Sequence, residues 1–333
     1  MKTLKFGFIT TEGGHFFKEA LREAERGEEL DFDSVWLEEH HSVYNHYWPS
    51  PLVALAGIAT RTHKISLGTN IVVLPFYSPV RMAEDVAMLD IISQGRFILG
   101  AAIGYRPQEF QLYGVDMDNR GRRYVEQLKI MLGLWTRDLL DFEGQFYNLQ
   151  GACIEPKPLT SPHPPLWLGG WGDLSIQRAA RFGDVWIPGP TASLEKLLAA
   201  RKKYAQDLSD LGKPPQTDWP LTREVIIADT DEQAFELAEK YLLINYRDEY
   251  AGGWEHPLIG NQDSAPVNQL ETLAQDRFII GNPDRCIASI QRFVEAFGMN
   301  HLICRLYFPG MPHSHILHEL ELVSREVIPA FNN

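Results

Sequence analysis

Four ionisable side chains stand in succession at Glu38, Glu39, His40 and His41, directly after the apolar run SVWL. Side chains alternate along an extended strand, so Glu39 and His41 leave one face while Glu38 and His40 leave the other. A histidine beside a carboxylate that fixes its tautomer can serve as a general acid or base. A solvated strand end is the other reading of the same four residues. Neither HExxH nor a zinc-binding spacing of Cys and His occurs. A second group is Gly100, Ala101, Ala102, Ile103 and Gly104, followed by Tyr105 and Arg106. Small residues at a strand end let a flat ring approach the backbone, or simply relieve crowding. A third group is Gly169, Gly170, Trp171, Gly172 and Asp173 at the start of a helical pattern. Accessible backbone N–H groups there make a nest suited to a phosphate, with an ordinary glycine turn as the alternative. Ser175 falls where the third glycine of GxGxxG would be, and the Lys-Ser/Thr pair of a Walker loop is missing. Arg120 and Arg122 sit at another helix start, where cations oppose the macrodipole, so either reaches an anion or both are solvated. His313, His315, His318 and Glu319 form a fourth cluster, which fits an exposed helix face at least as well as a metal site.

The elements that must position these groups alternate along the whole chain. Strand patterns at 5–10, 34–37, 65–74, 96–103, 166–168, 184–187, 222–228 and 301–306 are separated by helical patterns at 16–30, 51–60, 79–92, 121–135, 174–182, 194–211, 231–250 and 283–297. A closing helix is expected at 313–331. This alternation predicts an α/β fold, a (β/α)₈ TIM barrel with insertions, whose site lies at the C-terminal strand ends. One domain over residues 1–333 is expected. Its insertions fall at about 136–165 and 229–280, and residues 252–275, rich in Gly, Asn and Gln, are expected to form a lid.

Composition narrows the partners. Lys and Arg total 31 against 44 Asp and Glu, a formal charge of −13, which disfavours nucleic acid and anionic membranes in the absence of a basic patch. No apolar run approaches the roughly 20 residues needed to span a bilayer, and three scattered cysteines argue for a reducing cytoplasm. Aromatic residues around the expected mouth (Phe16, Tyr44, Tyr47, Trp48, Tyr105, Trp171, Trp186) suit an apolar or planar substrate, or core packing.

At these same positions VWLEEHH, LGTNIVVLP, SPVRMAEDVAMLD, SQGRF and YGVDMDN resemble the bacterial luciferase-like family of flavin-dependent monooxygenases. PLWLGGWGDLSIQRAARFGD and IIGNPDRC resemble it more loosely. The resemblance implies that His40 is the catalytic histidine, with Glu39 before it. It implies a non-prolyl cis peptide at Asn70 and Ile71 behind the flavin ring, and a structural acidic pair at Glu84 and Asp85. Gly104, Tyr105 and Glu109 match the loop beneath the flavin tail, and Gly169, Gly170 and Trp171 the phosphate-binding turn. Ala102 and Ile103 stand where light-emitting members carry a reactive cysteine and an arginine. The resemblance therefore leaves light emission and a long-chain aldehyde substrate open, and the phosphate would depend more on backbone amides and Arg120 or Arg122. The implied activity is monooxygenation of a small organic substrate with dioxygen and reduced FMN supplied by a separate flavin reductase, in a homodimer. A deazaflavin-dependent dehydrogenase or reductase and a non-catalytic flavin-binding subunit are the alternatives.

Overall fold

The structure is a computed structural model and describes residues 4–43, 47–246, 270, 274 and 276–331. The expected lid, apart from Leu270 and Ala274, lies outside the described residues, as does Tyr44. Strands β1 (Lys5–Ile9), β2 (Ser34–Leu37), β3 (Ser66–Thr69), β5 (Phe97–Ala102), β8 (Leu166–Gly169), β9 (Val185–Ile187), β10 (Pro220–Ile227) and β12 (His301–Arg305) belong to one parallel sheet. With the short strand β11 (Ile279–Gly281) at one end, the order is β11-β10-β12-β1-β2-β3-β5-β8-β9. Strand β11 pairs with the second half of β10, whose first half pairs with β12.

The sheet curls strongly on itself, because side chains of distant strands meet across its concave side. Trp36 of β2 and Trp167 of β8 have ring centroids 4.9 Å apart. Asn70 Nδ2, just after β3, donates to Thr222 Oγ1 of β10 at 2.9 Å. Ile9, Trp36, Trp167, Val185, Ile187 and Ile303 form a separate apolar cluster there, a plug of large side chains like the filled interior of a barrel. The opposite faces of the strands join the main core, against α1 (Phe17–Glu29), α2 (Pro51–Ala59), α3 (Pro79–Ile92), α5 (Arg120–Thr136), α6 (Asp173–Phe182) and α7 (Leu194–Asp210). The helices Pro283–Phe297 and His313–Leu322 complete this layer.

Three differences from the sequence reading are local. The expected strand 65–74 is two strands, β3 and β4 (Val72–Val73), and the cis peptide that the resemblance implies at Asn70 and Ile71 lies between them. The excursion at 136–165 carries the short antiparallel hairpin that its turn residues suggest, β6 (Leu140–Glu143) with β7 (Asn148–Ala152). A helix, α4 (Pro107–Tyr113), occupies what reads as loop, opened by Pro107 and closed by Gly114 at φ 64°. The helix expected over 231–250 begins as α8 (Asp231–Leu237) and widens into a π-turn at Ala238–Leu243.

Candidate active site

Because the strands are parallel, their C-terminal ends share one rim, and alternation decides which side chains enter it. At the end of β2 the inward residues are Glu38 and His40. Glu38 Oε2 lies 3.2 Å from Arg305 Nε at the end of β12. Glu39 turns outward and is buried. It accepts from the Val73 amide at 2.6 Å, from His41 Nε2 at 3.0 Å and from the Tyr77 hydroxyl. The carboxylate on His40 is therefore not its sequence neighbour. His40 Nδ1 meets Glu109 Oε1 of α4 at 2.9 Å, and Tyr47 and Tyr105 flank the imidazole with centroids 4.5 and 5.8 Å away.

Glu109 gathers three donors on a single oxygen. Its Oε1 also accepts from the His41 amide and from Arg106 Nη1, each at 2.9 Å, with only 1% of the side chain exposed. Burial pushes its carboxyl up, but the hydrogen bond and charge of His40, the His41 amide and Arg106 together hold it below the usual value. An ionised Glu109 accepts only, so Nδ1 of His40 carries the proton and Nε2, on the opposite edge of the ring, is the basic nitrogen.

The rim has two unlike halves. One, from β1, β2, β10 and β12, carries Glu12, Glu38, Glu224 and Arg305, all buried. Arg305 also donates to the Tyr47 hydroxyl at 2.9 Å. The other half, from β3, β5 and β8, is nearly bare. Thr69 Oγ1 accepts the Gly100 amide and donates to its carbonyl, drawing β3 so close that a Cβ on Gly100 would stand 1.9 Å from the Thr69 carbonyl oxygen. A Cβ on Gly169 would enter the space between Ile71, Ala102 and Ile187, 2.9 Å from Ile71 Cδ1. This is a cradle that side chains would fill, and it fits a planar ring. Gly104, at φ 74°, turns the chain away under Val73 and Phe110.

The turn after β8 leads into α6 through Gly170 and Gly172. A Cβ on Gly170 would overlap Ser175, and no side chain caps the first amides of α6, which leaves N–H groups to face an anion. Trp171 packs edge-on to Trp186 beside this turn. Arg178 of α6 lies against Gly121 of α5. Burial lowers its guanidinium below the usual value, Tyr124 opposes this, and the charge of Arg120 lowers it further. Arg120 and Arg178 thus share one space, whereas Arg122 turns outward to Asn119 and Gln145 on the hairpin side. Alternation placed Glu38 on the face of His40 but gave it no role, and Arg178, which no local signal marks, was missed. The C-terminal histidines disperse: His313 bonds Glu23 and His318 faces Asp229. Among the described residues no group of His, Cys, Asp and Glu could hold a metal ion, and no helix is long and apolar enough to cross a membrane.

The chain is similar to proteins of known activity. The chain is 28% identical over 316 residues to the oxygenase component of flavin-dependent trigonelline monooxygenase from Acinetobacter baylyi, covering 90% of this chain and 85% of that one. It is 26% identical to an F420-dependent glucose-6-phosphate dehydrogenase from Amycolatopsis mediterranei, covering 98% of each chain. The crystal structure of monooxygenase RslO1 from Streptomyces bottropensis superposes with a TM-score of 0.85 at 25% identity, over 98% of this chain and 100% of that one. The family described as luciferase-like monooxygenase matches residues 4–301, and the chain belongs to it.

Proposed function

We propose that this protein is the oxygenase of a two-component system, which accepts reduced FMN from a separate flavin reductase and oxygenates a small organic molecule. The observation that carries this reading is the pairing, on one rim, of a carboxylate-held histidine with a side-chain-poor surface of Ile71, Ala102 and Gly169 against which a flat ring can lie. The relative named as an oxygenase component supports it. Ile71, Ala102, Gly104 and Gly169 would back the ring and Asn70 its edge. The amides near Gly170 and Trp171, with Arg120 and Arg178, would hold the phosphate. When bound, reduced FMN supplies the electron pair that splits dioxygen, one atom going to the substrate and the other to water.

The chain's own contribution is to hold, orient and keep dry. His40 Nε2 would take or give the proton at the reacting oxygen, while Glu109 steadies the imidazolium formed in between. Tyr47 and Tyr105 wall the imidazole and limit water around it. Gln216 accepts from the Trp186 amide at 2.7 Å along the outer edge of β9, and we read this side chain as standing in for a ladder where the barrel closes towards β10. A homodimer fits the exposed Val53 of α2 and Met88, Ile91 and Ile92 of α3, and a solution mass of one chain would exclude it. One domain in a reducing cytoplasm completes the reading.

The F420-dependent relative favours a second reading, hydride transfer to a deazaflavin, with His40 taking the proton of a substrate hydroxyl. Supplying reduced FMN and reduced deazaflavin in turn separates the two, since only reduced FMN should be reoxidised by dioxygen at a rate the protein controls. His40→Ala should bind reduced FMN within about threefold of the parent yet slow turnover by roughly 10²–10⁴-fold. Unchanged turnover in His40→Ala would remove His40 from this role, and failure of the parent chain to turn over any reduced flavin would leave a non-catalytic flavin-binding subunit.

A further inference from the structure

The outward face of the same strand end carries a second histidine with its own ties. Helix α4 presents Glu109 and Tyr113, four residues apart and so on one face, to the two consecutive histidines. Glu109 accepts from His40 Nδ1, and the Tyr113 hydroxyl donates to His41 Nδ1, both at 2.9 Å. With seven residues and no side-chain cap, α4 is too short to hold its place alone. His41 is fixed on every side. Its ring lies between Tyr113 at 4.6 Å and Phe76 at 5.7 Å, and Nε2 meets the buried Glu39. Glu39 is in turn tied to the Val73 amide and to Tyr77. A carboxylate only accepts, so Nε2 of His41 carries the proton and Nδ1 accepts from the Tyr113 hydroxyl. The main chain of His41 completes the connection, its N–H on Glu109 and its carbonyl on Arg106.

We infer that Tyr113 and His41 are positioning residues, a brace that sets where the Glu109 carboxylate stands and hence which way His40 Nε2 faces. This rests on the proposed role of His40 and gives Glu39 a place at the root of the brace, away from the reacting atoms. Tyr113 is 43% exposed and stacks on Phe76 at 4.6 Å and 8°, so Tyr113→Phe keeps the ring contact and removes one hydrogen bond.

The test is made on the full chain with ¹⁵N-labelled histidine, the His40 signal being identified by its loss in His40→Gln. In Tyr113→Phe the His40 Nδ1–H should exchange with solvent roughly fivefold faster, the worth of one hydrogen bond. Reoxidation of bound reduced FMN by dioxygen should slow by a similar factor of about five, with reduced-FMN affinity kept within about twofold. His41→Gln, which can still span Glu39 and Tyr113, should fall between parent and Tyr113→Phe. Unchanged exchange and reoxidation in Tyr113→Phe, even with a lowered melting temperature, would make the contact merely structural and overturn the inference. If the parent chain fails to bind reduced FMN, the proposed function falls, while the exchange of His40 still reports on the brace.

Discussion

Replacing Glu109 by Gln isolates what its charge does for His40. The amide has nearly the same volume and can still accept through its oxygen, so the three donors on Oε1 keep an acceptor and lose only the negative charge. An imidazolium and a carboxylate about 4 Å apart attract by about 4 kcal/mol at the effective dielectric constant of about 20 that suits such sites. The His40 side chain is 14% exposed and Glu109 1%, so little of this is screened. A loss of about 2–4 kcal/mol when His40 carries the proton corresponds to roughly 30- to 1,000-fold in rate. The assay is rapid mixing of the anaerobic protein with reduced FMN and then with dioxygen, following flavin absorbance and released peroxide. Glu109→Gln should be slow in this range with reduced-FMN affinity little changed. A rate within threefold of the parent, with His40→Ala slow, would refute Glu109 as the group that steadies His40.

Other consequences follow from the same contacts. Gly169→Ala should fold, because the atom it meets is the end of the Ile71 side chain, yet weaken reduced-FMN binding at least about tenfold by filling the cradle, read by anaerobic titration. Gly100→Ala meets a backbone carbonyl instead and should lower the melting temperature sharply or prevent folding. His301, buried against Ser34, Trp36 and Trp167, has its imidazole lowered to about 3 by burial. Its contribution is present above the unfolded value near 6.5 and lost as pH falls towards 3, at about 1.4 kcal/mol per pH unit. Denaturant titrations from pH 7 to 4 should show this slope, and His301→Gln should flatten it. His313 has the opposite sign. Its bond to Glu23 raises it, burial opposing, so its stabilisation is full below about 6.5 and fades as pH rises through the higher folded value. His313→Gln should therefore cost stability at pH 6 and less at pH 9.

The order of elements could be read from the chain because each strand carries a β-branched or aromatic run and each helix an apolar stripe at the right period. What could not be read depends on distance in sequence. The companion of His40 comes from Glu109, 69 positions away, on a helix hidden in a segment that reads as loop because Gly104, Pro107 and Gly114 punctuate it. The three-residue β11 is too short to show a period. Arg178 gains meaning only when α5 and α6 bring it to Arg120. Alternation along β2 did foretell that Glu38 and His40 share a face, and the structure puts both inward, with Glu39 and His41 behind them.

The most direct measurement is an anaerobic equilibrium titration of the purified full chain with reduced FMN, with reduced deazaflavin in parallel, by flavin fluorescence or absorbance. Saturable one-to-one binding of reduced FMN is expected, weakened by Gly169→Ala and left in place by His40→Ala. No measurable association of reduced FMN, or binding indifferent to a methyl group at Gly169, would contradict the proposed function.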